Sequence, residues 1–166
     1  MYFPFETCLF ATSTGSLIRT SWDDLSGITN DIVNMPGLGR VLNSTFSHCG
    51  SLLAASSFEL SSANPVVNVI LYDMKTMSVV QRIPLHDCAP RPIHNFDFSS
   101  DGKTLVFDVS RSNDFMVFEV HDMNIRRRYG EDADALELTA AVAFDPTSQV
   151  VASAGFDTHY IKLWTL

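Results

Sequence analysis

The sequence predicts an all-β chain built from four copies of one unit, and three observations predict it. First, a Phe closes a short strand and is followed by a turn and a second apolar strand. It is Phe3 in FPFETCLFATS, Phe46 in FSHCGSLLAASS, Phe98 in FSSDGKTLVFDVS and Phe144 in FDPTSQVVASAG, at separations of 43, 52 and 46 residues. Second, an aromatic residue stands near the end of a third strand in each unit. It is Trp22 in LIRTSWDD, Tyr72 in VNVILYDM, Phe118 in FMVFEV and Trp164 in YIKLWTL, at separations of 50, 46 and 46. Two independent anchors that keep nearly one period define a structural repeat. Third, no stretch sustains the 3.6-residue period of an amphipathic helix, so no helix is expected.

Within a unit, the first strand alternates in period two, as in Phe96 and Phe98 around Asp97, or Ala140, Val142 and Phe144. Alternation marks a strand with two unlike faces. The second strand is small and apolar, as in Leu52–Ala55 and Val150–Ala152. The turn before it carries Cys49-Gly50 in the second copy and Asp101-Gly102 in the third. Both suit a hairpin position with positive φ. The third strand holds the aromatic anchor, and a fourth is expected at Ile28–Asn34, Ser78–Pro84 and Asn124–Tyr129. Four antiparallel strands repeated every ~40–45 residues, or slightly more, predict a β-propeller of four-stranded blades.

The composition agrees. Apolar residues make up 46% and charged residues 18%, which is globular and not disordered. Twelve Phe against four Tyr and two Trp suit strands packed on strands. A formal charge of −8 argues against direct nucleic-acid binding, which needs clustered Lys and Arg. The three cysteines, Cys8, Cys49 and Cys88, are widely spaced and odd in number. They predict no disulfide framework and a reducing, intracellular setting, cytoplasmic or nuclear. The N-terminus lacks a basic n-region and Glu6 interrupts its apolar run, so it does not read as a signal peptide. No apolar run reaches the ~18–20 residues of a membrane-spanning helix, and no membrane insertion is expected.

On these residues the chain resembles the WD-repeat family. Trp22-Asp23, Tyr72-Asp73, Phe118-Glu119 and Trp164-Thr165 close the third strands, and FSSDG at 98–102 and FDP at 144–146 match the family's first turn. The resemblance spans essentially the whole chain, as a divergent member. The family often links a His before the first strand, a Ser or Thr in the second, an Asp in the next turn and the Trp. Only pieces of that network stand here. Asp157 precedes Trp164 at one residue more than the usual distance, with no His upstream in that copy. His86 lies in the right loop of the third copy, where Phe118 replaces the Trp. Apolar packing is therefore expected to carry the blades.

The expected blades span residues 1–36, 37–86, 87–132 and 133–166, the last lacking its outer strand, for about fifteen strands. A seven-bladed ring needs roughly 280–315 residues, so about four blades make an incomplete ring. Three accounts stay open: a segment of a longer protein, a ring completed by another chain, and a small closed ring. An open arc leaves apolar faces and strand edges bare, so something that completes the ring is expected as a partner.

Candidate chemistry is sparse. His86, Cys88 and His94 form H-x-C-x5-H, with residue types that bind zinc or copper. No second ligand pair stands at standard spacing, so no metal and no cofactor is expected, and Pro90 and Pro92 mark a polar connection instead. No G-x-S-x-G, P-loop or H-E-x-x-H occurs, and no catalytic residue is assigned. Arg126-Arg127-Arg128 falls in an outer strand, where charge guards an exposed edge. Arg126 and Arg128 are expected to share a face there.

Because the resemblance implies partner binding on loops joining second to third strands and blade to blade, the binding candidates are taken from those loops. They are Leu38 and Arg40, then Phe58, Glu59, Leu60 and Asn64 in an enlarged loop spanning 58–65. Arg91, Arg111, Asn113, Glu131, Asp132, Phe156 and His159 complete the set. The expected function is a non-catalytic scaffold that holds other protein subunits in a larger assembly. The alternative is an enzyme or metal-binding propeller with its site at the central channel.

Overall fold

The computed structural model describes the backbone of residues 7–11, 16–23, 27–34, 40–59, 66–85, 93–108, 115–121, 124–129, 139–155 and 159–166. Side chains are described for 41–57, 66–85, 93–108, 115–121, 139–155 and 159–166. All regular structure among these residues is β, in four separate antiparallel sheets. The first contains β1 (Thr7–Ala11), β2 (Ser16–Asp23) and β3 (Gly27–Asn34) in that order. The second contains β4 (Arg40–Phe46), β5 (Leu52–Glu59), β6 (Val66–Asp73) and β7 (Ser78–Leu85). The third contains β8 (Phe96–Phe98), β9 (Thr104–Asp108), β10 (Phe115–Glu119) and β11 (Asn124–Tyr129). The fourth contains β12 (Thr139–Phe144), β13 (Val150–Gly155) and β14 (Ile161–Thr165). No described strand joins these sheets into a closed barrel.

The expected fourth strands fall where β3, β7 and β11 stand. The Phe3 anchor lies outside the described residues. The residue seven after Phe46, Phe98 and Phe144 pairs with the aromatic anchor, as Leu53 with Tyr72, Leu105 with Phe118 and Val151 with Trp164. Seven after Phe3 is Phe10, which pairs with Ile18, four residues short of Trp22. In the first unit the two anchors therefore do not keep the register of the other three.

The later units match bond for bond at their first turn. The Ser47 N–H donates to the Leu52 carbonyl, Ser99 to Thr104 and Asp145 to Val150, each at 2.9 Å. In return, the Leu52 N–H donates to Ser47 Oγ (3.0 Å), Thr104 to Ser99 Oγ (2.9 Å) and Val150 to Asp145 Oδ1 (2.8 Å). Three residues past Ser47, Ser99 and Asp145, the chain turns left-handed, with φ of 70° at Gly50, 71° at Gly102 and 61° at Ser148. Glycine meets this demand without cost, and serine does not. Gly102→Ala is expected to cost about 1–2 kcal/mol of backbone strain alone. The added Cβ would sit 3.8 Å from Ser47 Cβ, an ordinary contact. Ser148→Gly relieves similar strain but deletes the hydroxyl that accepts the Ser100 N–H at 2.8 Å. A net change under about 1 kcal/mol is expected there. Urea midpoints of the two variants check both values.

Packing follows from strand alternation. In β6, six consecutive residues from Val67 to Tyr72 are buried, so both faces of this strand are covered. That explains why the run is apolar apart from the buried Asn68. One face, with Ala54, Val67, Val69 and Leu71, meets Phe96, Phe98, Leu105, Phe107, Met116 and Phe118 of the third sheet. The opposite face carries Val41, Leu53, Ala55, Ile70 and Tyr72. The third sheet turns Val106, Phe115 and Val117 toward Val142, Val151, Phe144 and Trp164 of the fourth, and the Phe115 and Trp164 rings meet edge-on at 5.5 Å. Phe118 and Trp164 each face the sheet before them, while Val69 and Leu71 of the second sheet and Phe115 and Val117 of the third face the sheet after them.

Candidate functional site at the loop end of the sheets

At one end of every sheet the second strand runs into the third. A seam of polar side chains crosses this end from sheet to sheet. Asn43 and Asn95 each stand three residues before a unit's Phe. The Asn43 Nδ2 donates to the carbonyl of His94, and the Asn95 Nδ2 donates to the carbonyl of Ala140. His94 and Ala140 each stand four residues before the next Phe, so one clamp is made twice. The same position in the fourth unit is Ala141, which has no amide to give.

Each clamp Asn is held by a residue ten places after its own Phe. The Asn43 N–H donates to Ser56 Oγ (3.2 Å), and the Asn95 N–H donates to Asp108 Oδ1 (2.7 Å). Asp108 Oδ1 also accepts the His94 N–H at 2.9 Å. Asp108 is fully buried, and its Oδ2 has no hydrogen-bond partner. Burial of the carboxylate therefore pushes its pKa up to about 6, against the lowering effect of the two backbone donors and the nearby His94. A group that titrates near neutrality sits inside the joint between the second, third and fourth sheets.

A second line of contacts lies further along the first strands. Asp97 Oδ2 accepts the Phe144 N–H at 2.7 Å, tying β8 to β12. At the opposite end of the sheets, Ser100 and Ser148 join the third and fourth first turns through their hydroxyls, 2.9 Å apart. Beside the second unit's first turn stands Cys49, exposed, with its Sγ 3.0 Å from Ser51 Oγ. That hydrogen bond, ahead of a backbone bond at Ser51 and the Ser47 hydroxyl, lowers the thiol pKa to about 7. Alkylation of Cys49 followed by peptide mass spectrometry is expected to titrate with a midpoint near 7. Ser51→Ala should move that midpoint upward.

The predicted binding residues are placed unevenly. His159 is exposed just before β14. Arg40, Phe58 and Glu59, expected in loops, are strand residues. Arg40 opens β4 opposite Phe58, and Phe58 and Glu59 end β5 opposite Val67 and Val66. The β-branched pair Val66-Val67 extends the hairpin, which removes positions 58 and 59 from the enlarged loop. Leu38, Leu60, Asn64, Arg91, Arg111, Asn113, Glu131, Asp132 and Phe156 lie outside the described residues, as do His86, Cys88 and Asp157. In the basic triplet, a bulge between Val117 and Phe118 pairs Val117 with Arg127 and Phe118 with Ile125, leaving Arg126 as the extra backbone position.

In the fourth sheet, Trp164 Nε1 donates to Ser153 Oγ at 2.8 Å. The matching positions in the earlier units are Ala55 and Phe107, beside Tyr72 and Phe118, so those units are apolar there. The reading of residues missed Asp108, Asn43 and Asn95. The signal available was an Asn at the same offset before Phe46 and Phe98. Among the described residues no group of three His, Cys, Asp or Glu is arranged to hold a metal, and no helix is long and apolar enough to cross a membrane. No family model matches the chain, and no curated protein is significantly similar to it.

Proposed function

We propose that the chain is a divergent WD-repeat-type propeller segment acting as a non-catalytic scaffold. Its four sheets would be the blades, with boundaries near residues 36, 86 and 132, set around an incomplete ring. Other protein subunits would bind at the loop end, in an intracellular assembly of the cytoplasm or nucleus, with no cofactor. One observation carries this reading: the first turn, the Asn clamp and the facing of the aromatic anchor recur at the same offsets from sheet to sheet. A repeated joint holds successive sheets in one fixed relation. Loops mounted on such a series are presented in fixed geometry, so a few anchors supply most of the affinity. Clamps concentrated at the loop end favour that end as the rigid one.

Crosslinking of the chain to its cellular partners, followed by mapping of the joined residues, tests the proposal. Contacts are expected at Arg40, Glu59 and His159 and in the adjoining loops. Charge reversal at Arg40 and Glu59 should weaken capture, while the same change at Lys103, at the opposite end, should not. Partner contacts confined to the first-turn end would overturn the reading.

A further inference from the structure

The joint between the third and fourth sheets holds a carboxyl group with no exposed surface. Asp108 ends β9 and pairs with Phe115, on the face that carries Val106, Phe115 and Val117 against Val142 and Val151 of the fourth sheet. It is 0% exposed, and its Oδ2 has no hydrogen-bond partner. Its Oδ1 accepts the backbone N–H groups of His94 and Asn95, at 2.9 and 2.7 Å. Asn95 in turn reaches across the joint and donates its Nδ2 to the Ala140 carbonyl. The carboxyl group therefore holds the residue that clamps the fourth sheet.

The joint before it follows the same plan with a neutral group. Ser56 stands in the place of Asp108, its Oγ accepting the Asn43 N–H at 3.2 Å, and Asn43 Nδ2 donates to the His94 carbonyl. Four other ionisable side chains belong to the third-to-fourth joint among the described residues. His94 precedes β8, and Asp97 on β8 accepts the Phe144 N–H at 2.7 Å. Glu119 lies at the other end of the Phe115 face, opposite Thr104. Lys162 shares the Trp164 face of β14, with its Nζ 5.5 Å from the centre of the Tyr160 ring. The strands β12 and β13 contribute none. None of the four bonds to Asp108 Oδ2.

We infer that Asp108 is a proton-controlled latch on the third-to-fourth joint: protonated, it leaves the joint closed, and ionised, it favours a state in which the joint parts and water reaches the carboxylate. Burial keeps the proton on the closed form up to about pH 6, outweighing the backbone donors and His94, whereas a hydrated carboxyl releases it at its ordinary value of 3.8. Rising pH therefore favours the open form across that window. By linkage, the open population should grow about tenfold between pH 5 and pH 7 and about a hundredfold over the whole window. The consequence rests on the scaffold reading above: loops of the fourth sheet are held in register with the others in acid and released near neutrality.

Amide hydrogen exchange of the full chain, followed residue by residue by NMR and corrected for the intrinsic rate at each pH, is the test. Two amide protons cross the joint, from Phe144 to Asp97 Oδ2 and from Ser100 to Ser148 Oγ. Both are expected to be less protected than Val69 and Leu71 of β6 and insensitive to dilute urea, as local opening requires. Their protection should fall about tenfold between pH 5 and pH 7 in the wild type and stay level in Asp108→Asn. Asp108→Ser, which installs the side chain of the second sheet, is the second variant and should be level too. Exchange of both reporters only together with β6, or a wild-type fall no larger than in the two variants, would overturn the proposal. Loop-end crosslinks at Arg40 and Glu59 that persist at both pH values would leave the scaffold reading standing in either case. Their absence beside a pH-dependent joint would remove the scaffold reading and keep the latch.

Discussion

Phe118→Ala is expected to lower the unfolding free energy by about 3–5 kcal/mol, the range for emptying a buried aromatic site. Phe118 has no exposed surface and sits in the largest apolar cluster, among Phe98, Leu105, Phe107 and Met116 and against Leu71 and Val69 of the neighbouring sheet. Domains of this kind have only ~5–15 kcal/mol in total, so the variant should lose much of its stability. Phe118→Leu keeps most of the volume and should cost less than half as much. Urea denaturation followed by far-ultraviolet circular dichroism measures both. If Phe118→Ala changed stability by less than about 1 kcal/mol, the site would not be closely packed.

The second large effect concerns Asp108. Its pKa is raised by burial to about 6, so the folded chain holds the proton where the unfolded chain has released it. Stability from this group is present below the unfolded value of about 4 and is lost as pH rises toward 6. Two pKa units correspond to about 3 kcal/mol. Asp108→Asn removes that slope, because an amide buries no charge while its oxygen still accepts from His94 and Asn95. The wild type minus Asp108→Asn difference in stability is therefore expected to fall by ~2–3 kcal/mol between pH 4 and pH 7 and then level off. Asp108→Ala loses two hydrogen bonds at ~0.5–1.5 kcal/mol each, so it should be the less stable of the two variants at every pH. Equal pH slopes for wild type and Asp108→Asn would show that the carboxylate is not desolvated.

The two aromatic anchors were readable in the sequence because each fills one position in a packed interface, and such a position admits few residue types. The turn glycines were readable for a similar reason, since Gly50 and Gly102 stand at positive φ. The polar seam was harder to see. Asn43, Asn95 and Asp108 bond to backbone groups 13 to 51 residues away, and a carbonyl or an N–H leaves no mark on residue identity. Phe58 and Glu59 were read as loop because Ser61, Ser62, Asn64 and Pro65 follow them, yet β5 runs on while it has Val66 and Val67 to pair with. The first unit was misaligned at Phe3 because its apolar residues, Phe3, Phe5, Leu9 and Phe10, offer several equivalent anchors.

The joints between sheets are not built alike. The second and third sheets share a broad apolar cluster with the Asn43 clamp at one end. The third and fourth share a smaller cluster, but Asn95, Asp97 and the Ser100–Ser148 pair tie them at both ends and between. Apolar contact weakens on cooling, while directional hydrogen bonds depend far less on the cohesion of water. In the cold, the seam between the second and third sheets is therefore expected to loosen before the seam between the third and fourth, and these two sheets would part from the second as one rigid piece.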